Sequence, residues 1–262
     1  ALDELAAKYA AKALSSLGVA PLDRGTERIH SPSNLENVLP LYRRLVHRLS
    51  DQLAKPYSTT ANAREPSELL ERAREMFPEA WPLFELLSRC GEALGEVVTG
   101  KKNPVGVLFP EGDSERVSKV YADSPMARYF GKLSASILGM IADETAARRT
   151  LRILEIGAGT GGTTAALLPA LRDRPCEYWF TDLTPTFLHK AEERFAGDTF
   201  LRYCSLDIEQ LSGELDGVFG SVDVVVAANV IHATRNIFES LRNARRLLRP
   251  GGFLLLIETT TA

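Results

Sequence analysis

The 262-residue chain is 45% apolar and 25% charged, too apolar overall for a disordered tail and with enough apolar side chains for a real core. Its 31 basic and 34 acidic side chains leave a net charge of -3, so there is no global positive field to hold nucleic acid or an anionic membrane surface. Three cysteines, Cys90, Cys176 and Cys204, are odd in number and lack metal-ligand spacing; they exclude a disulfide framework and a zinc knuckle and fit a reducing cytoplasm.

The elements follow in chain order. The amino half reads as helices broken by loops, first over Leu2 to Leu17, where Leu5, Tyr9, Ala13 and Leu17 share a face, and then over Val38 to Leu53. Lys55 to Pro66 is a polar connector, followed by amphipathic helices over Ser67 to Met76 and Pro82 to Val98. Pro104 to Asp113 reads as a loop around a short apolar run, and Pro125 to Ala147 as a long helix. Beyond Thr150 the pattern changes to short β-rich runs alternating with helices. Predicted strands are Leu151 to Ile156, Glu177 to Thr181, Phe200 to Leu206, Val222 to Ala227 and Phe253 to Thr259. Predicted helices are Thr163 to Leu171, Pro185 to Phe195 and Ile237 to Leu248. Strands separated by helices imply a parallel sheet covered on both faces, hence an α/β, Rossmann-like domain over residues 150–262 behind a helical segment over residues 1–149. Such a sheet binds ligands beyond the carboxyl ends of its strands. No run is long enough to span a membrane and no signal pattern opens the chain, so a cytoplasmic location without membrane or nucleic-acid partners is expected.

Gly157-Ala158-Gly159-Thr160-Gly161-Gly162 follows a predicted strand and opens a predicted helix. In that context glycine permits close approach of backbone to a ligand. The spacing also satisfies the dinucleotide fingerprint, with Asp182 where a ribose-binding acid would stand, so the glycines alone leave two cofactor classes open. Glu155 separates them, because a carboxylate beside the loop would repel a pyrophosphate and favour the cationic S-adenosylmethionine. Asp182, followed by Leu183, and Asp207, followed by Ile208, close the next two strands, so acids end three successive strands. That arrangement suits a ligand with an amino acid end, a ribose diol and an adenine amine. Past the fourth strand, Asn229 is placed to orient cofactor or acceptor. His232 stands at the same edge, and an imidazole, with an ordinary pKa of about 6.5, suits proton removal near neutrality. Glu258 closes the fifth strand and would hold the other ring nitrogen if the two strand ends are neighbours. No metal site is expected.

The segments ILEIGAGTGGTT (153–164), YWFTDLTP (178–185), ANVIHAT (228–234), RRLLRPGG (245–252) and LIE (256–258) together resemble the methyltransferase domains embedded in modular polyketide synthases. Weaker likeness runs through LFP (108–110) and YADSP (121–125). The resemblance implies a class I S-adenosylmethionine methyltransferase core with a helical lid formed by the amino half. It also implies the same His and Glu as catalytic pair, a contribution from Tyr121 on the lid, and neighbouring synthase domains as partners. Its substrate would be an acyl chain on the phosphopantetheine of an acyl carrier protein, methylated at the α-carbon of a β-ketoacyl thioester or at a β-hydroxyl oxygen. Carbon-methylating members usually carry Pro and Gln-Gly-Phe where this chain reads LSGELDGVFG (211–220), and an Asn where it has Gly131. The chain also stops at Ala262, before the antiparallel hairpin and the Gly-Trp-Trp region of those members. These departures tilt the expectation toward oxygen. A nicotinamide oxidoreductase and a non-catalytic structural domain are the competing readings.

Overall fold

The computed structural model describes residues 1–19, 35–53, 65–110, 119–120, 122, 124–213 and 217–258. Contacts divide the chain into two compact units, Ala1–Val120 and Tyr121–Ala262.

The first unit is helical: α1 (Leu2–Ser16), α2 (Arg43–Leu53), α3 (Pro66–Met76), α4 (Trp81–Val98) and the short α5 (Pro104–Leu108). The apolar stripe of α1 is buried, with Leu5 and Tyr9 packed among Leu69, Ala73 and Phe84, and Leu14 among Val38, Val46 and Val98. Helix α5 lies where the sequence reads as a loop. Five residues are too few to show a helical period, but Pro104 at its first turn and the Asn103 side chain, which accepts from Val105 N at 2.9 Å, start it locally.

The second unit opens with α6 (Pro125–Ala146), capped by the Ser124 hydroxyl. It continues with β1 (Leu151–Ile156), α7 (Gly162–Leu167), β2 (Cys176–Asp182), α8 (Pro185–Arg194), β3 (Leu201–Asp207), the two-residue β4 (Ser212–Gly213), β5 (Val222–Ala228), α9 (Ile237–Leu247) and β6 (Leu248–Ile257). The sheet order is β4-β3-β2-β1-β5-β6, parallel throughout except for β4 against β3. Helix α6 belongs with this sheet, so the division falls before it and not at Thr150: Leu138 and Ala142 are buried beside Leu151, Ile153 and Leu167.

The period-two rule sorts β1 between the two layers. Leu151 and Ile153 enter the core under α6 and α7, whereas Leu154 and Ile156 enter the core under α9 with Val225, Ala227, Ala244 and Leu247. β6 begins five residues earlier than its apolar run suggests, because Leu248 pairs with Val222 ahead of an irregularity that takes in the Pro250-Gly251-Gly252 turn. At the amino ends of the strands, Asp223 is buried and accepts from the Arg149 and Arg249 guanidinium groups and from Arg152 N. That carboxylate ties the turn after α6 to β1, β5 and β6 on the side of the sheet away from the carboxyl ends.

Candidate active site

The strand order reverses at β1, whose neighbours β2 and β5 lead the sheet in opposite directions. The crevice beyond their carboxyl ends is where an open parallel sheet holds a ligand. Every acid and base singled out in the sequence of this unit lies at a carboxyl end of β1, β2, β3 or β6, or just past β5.

The loop after β1 is a tight turn held from several sides. Ala158 N donates to Thr181 O (2.9 Å), Gly159 N to Asp182 Oδ2 (2.9 Å), and the Arg194 guanidinium to Thr160 O (2.8 Å). Gly157 has φ +59°, and a Cβ there would stand 2.4 Å from Val230 Cγ2, so backbone and neighbour both demand glycine. Gly159 has φ +55° but faces space, the nearest atom to a built Cβ being its own loop's Gly157 O at 3.9 Å. Gly161, also at positive φ, caps α7. Gly157 and Gly159 therefore differ: the first lets the loop pack on Val230, and the second leaves its outer side open.

Glu155 lies beneath this loop, 1% exposed. Its Oε2 accepts from Thr164 Oγ1 (2.5 Å) and Tyr178 OH (2.7 Å), while its backbone carbonyl accepts from Thr181 Oγ1 (2.6 Å). Burial raises its carboxyl to about 7, against the pull of the Thr164 and Tyr178 hydroxyls and helped by nearby Asp182. Burial also raises the Tyr178 hydroxyl well above its ordinary value, keeping it a donor. Glu155 is thus a buried carboxyl joining β1 to Thr164 of α7 and Tyr178 of β2 just ahead of the glycine turn.

Asp182 is buried at the end of β2, its two oxygens accepting from Gly159 N and from Thr184 N (2.8 Å), and Leu183 beside it is 61% exposed. Asp207 ends β3 and accepts from Glu209 N (2.9 Å); Ile208 is buried, its carbonyl held by the Asn243 amide at 2.8 Å.

Past β5, Asn229 adopts φ +53° and donates its N–H to Ile257 O at 2.8 Å, which turns the chain sharply at the sheet edge. The turn sets the 3₁₀ segment Ile231–Ala233 against the end of β6. Glu258 Oε1 accepts from Val230 N (3.0 Å) and Ile231 N (2.7 Å), and its Oε2 meets His232 Nδ1. The carboxylate is mostly shielded, whereas the imidazole is 55% exposed. Since a carboxylate only accepts, Nδ1 carries the proton in this pair, and the neutral ring keeps its lone pair on Nε2.

Tyr121 lies outside the described residues, as does His30. His189 sits on the surface of α8, 3.4 Å from Glu193. Among the described residues no cluster of His, Cys, Asp and Glu has the makings of a metal site, and no helix is long and apolar enough to cross a membrane. Thr164, Tyr178 and Val230 are the site residues sequence reasoning missed as such. A parallel register that sets Ile153 against Tyr178 and Glu155 against Phe180 would have put Glu155 and Tyr178 on one face.

Residues 154–254 match a family model described as a methyltransferase domain. The non-reducing polyketide synthase nvfA of Aspergillus novofumigatus is 41% identical over 179 residues, 67% of this chain and 8% of that protein, so the chain spans less than a tenth of such relatives. Among solved structures, the CurJ carbon methyltransferase superposes with a TM-score of 0.86 at 33% identity, covering all of this chain and 72% of that one. The trans-methyltransferase CalH, solved in complex with SAH, gives 0.69 at 26% identity over 97% of this chain and 70% of the other.

Proposed function

The chain belongs to the methyltransferase-domain family of polyketide synthases and is an S-adenosylmethionine-dependent enzyme, and from that premise we propose that it methylates the α-carbon of a β-ketoacyl thioester carried on the phosphopantetheine arm of an acyl carrier protein. The observation that carries the proposal is the His232–Glu258 pair at the carboxyl edge of the sheet, with Glu258 held by the backbone N–H groups of Val230 and Ile231.

The residues present fit the cofactor. Gly159 leaves open the space a Cβ would fill, and the Asp182 carboxylate is fixed in direction by Gly159 N and Thr184 N while each oxygen keeps a further lone pair for a ribose hydroxyl. Exposed Leu183, buried Ile208 and Asp207 would hold the adenine, the two apolar side chains packing on it and the carboxylate able to accept from its amine. Gly157, Ala158, Gly161 and Asn229 shape the cradle, and Glu155 acts through the loop it supports. When bound, S-adenosylmethionine supplies an electrophilic methyl group on a sulfonium.

What remains for the protein is to align the acceptor and take its proton. His232 Nε2 takes the α-proton, Nδ1–H stays donated to Glu258, and the Glu258 carboxylate stabilises the imidazolium that forms. A carbon between two carbonyls is acidic enough to lose its proton to an imidazole before methyl transfer, whereas an alcohol must lose it during transfer.

The likeness to a carbon methyltransferase at 33% identity supports carbon as the accepting atom. This reverses the tilt toward oxygen that residues 211–220 and Gly131 gave on their own, and oxygen methylation of a β-hydroxyl remains the second reading on those departures. Tandem mass spectrometry of β-ketoacyl and β-hydroxyacyl carrier substrates after incubation with S-adenosylmethionine separates them. Carbon chemistry places the added methyl on the α-carbon of the β-ketoacyl chain and leaves the β-hydroxyacyl chain unmodified. A methyl on the β-oxygen selects the second reading.

A further inference from the structure

The turn that carries His232 runs directly into α9, whose outer ridge is rich in arginine. Between Arg235 and Arg246 there are four arginines and one glutamate, in a chain whose net charge is -3. Ser240, Asn243, Ala244 and Leu247 turn inward onto the sheet, so the 3.6-residue period turns Phe238, Arg242 and Arg245 outward together, with Arg246 flanking them. Phe238 is 83% exposed, the highest value among the exposed large apolar side chains, and Arg235, just ahead of the helix, is 95% exposed. Glu239 offsets Arg242 (2.8 Å), Glu209 stands 4.0 Å from the exposed Arg235 guanidinium, and Arg246 lies over the half-exposed Phe219 ring at 5.9 Å. Exposed aromatic and arginine side chains together are the residue types enriched in protein-binding patches.

We propose that the ridge Arg235–Phe238–Arg242–Arg245–Arg246 is where an acidic carrier protein docks while its acyl arm reaches His232. The assignment rests on the carrier-tethered substrate proposed above. Carboxylates around the carrier's phosphopantetheine attachment site would face the arginines, and an apolar side chain of the carrier would cover Phe238. Two residues separate His232 from Arg235, so the ridge begins beside the base and runs from there along α9 toward the amino ends of the strands, where Arg246 O accepts from Gly220 N (3.0 Å); the carrier's flexible arm spans the distance back to His232. Such complementarity acts mainly on encounter and register and weakens as salt rises.

The test is methyl-transfer kinetics of the full chain with the same β-ketoacyl group on two carriers: the acyl carrier domain of its own synthase, and free pantetheine. The Arg242→Glu/Arg245→Glu and Phe238→Ser variants should raise KM for the carrier-bound substrate at least tenfold and leave pantetheine thioester kinetics within twofold. Intact turnover of the small substrate reports that the fold survives. An Arg44→Glu/Arg48→Glu variant makes the same change in net charge on the exposed arginines of α2 and should leave both substrates unaffected. If the wild-type chain methylates both substrates and the ridge variants leave the carrier-bound KM unchanged, or if the α2 variant raises it equally, the docking assignment is wrong. If the wild-type chain methylates neither, the proposed function itself fails and the assignment falls with it.

Discussion

Glu258 holds His232 by ring Nδ1 with one carboxylate oxygen and anchors the turn carrying that histidine, through Val230 N and Ile231 N, with the other. One side chain at the end of β6 thus sets both the position and the tautomer of an imidazole that follows β5. Glu258→Gln separates the two tasks. The amide oxygen can still accept from the turn, but the amide nitrogen facing Nδ1 is a donor and forces the ring proton onto Nε2. The methyl-transfer rate should fall by about 10² or more, as expected when a base is locked in the wrong tautomer. Thermal stability should change little, and calorimetry should find unchanged S-adenosylmethionine affinity.

Gly157 and Gly159 separate loop packing from ligand approach. Gly157→Ala brings a methyl onto Val230 at a left-handed backbone position, a strain of about 1–2 kcal/mol before any clash. It should lower stability and, by shifting Val230 in the turn that carries His232, lower kcat. Adding Val230→Ala should recover part of the stability in chemical denaturation. Gly159→Ala carries the backbone strain without the collision and should chiefly raise the Kd for S-adenosylmethionine, measured by calorimetry.

The Glu155 carboxyl, raised to about 7 from an ordinary 4.5, binds a proton more tightly in the folded chain than in the unfolded one. Its contribution to stability is therefore full below about pH 4.5 and is lost as pH rises toward 7. Across that window wild-type stability should fall relative to Glu155→Gln, which cannot titrate; parallel urea-denaturation profiles for the two would remove the effect. Tyr178→Phe takes away one of the two hydroxyls on the buried oxygen and should destabilise by about 1–3 kcal/mol.

Asp223 carries stability and no chemistry. Asp223→Ala leaves the Arg149 and Arg249 guanidinium groups and Arg152 N without their buried acceptor, a loss of about 3 kcal/mol. Both arginines are partly exposed and water recovers some of it. Because the cluster sits at the amino ends of the strands, S-adenosylmethionine affinity of the folded protein should stay at the wild-type value.

The sheet was legible because its strands are short apolar runs between helical patterns, and β5, with Val222, Val224, Val225, Val226 and Ala227 all buried, is the plainest of them. The edge residues were legible for the same reason: once strand ends are located, Asp182, Asp207, His232 and Glu258 fall at them. The Glu155–Tyr178 contact was not, because it depends on which residues of β1 and β2 stand side by side. Without that register, the burial of Glu155 against Tyr178 cannot be read from the sequence. The place of α6 was hidden too, since its apolar face does not say which layer covers it, and β4 is too short for any period.

On the proposed mechanism, His232 removes the acceptor proton. Single-turnover methyl transfer to a β-ketoacyl pantetheine, with saturating S-adenosylmethionine, tests it most directly in the wild-type chain and His232→Ala. The rate should fall by about 10² to 10⁴ with the Kd for S-adenosylmethionine unchanged. A His232→Ala chain that transfers methyl at the wild-type rate would contradict the account.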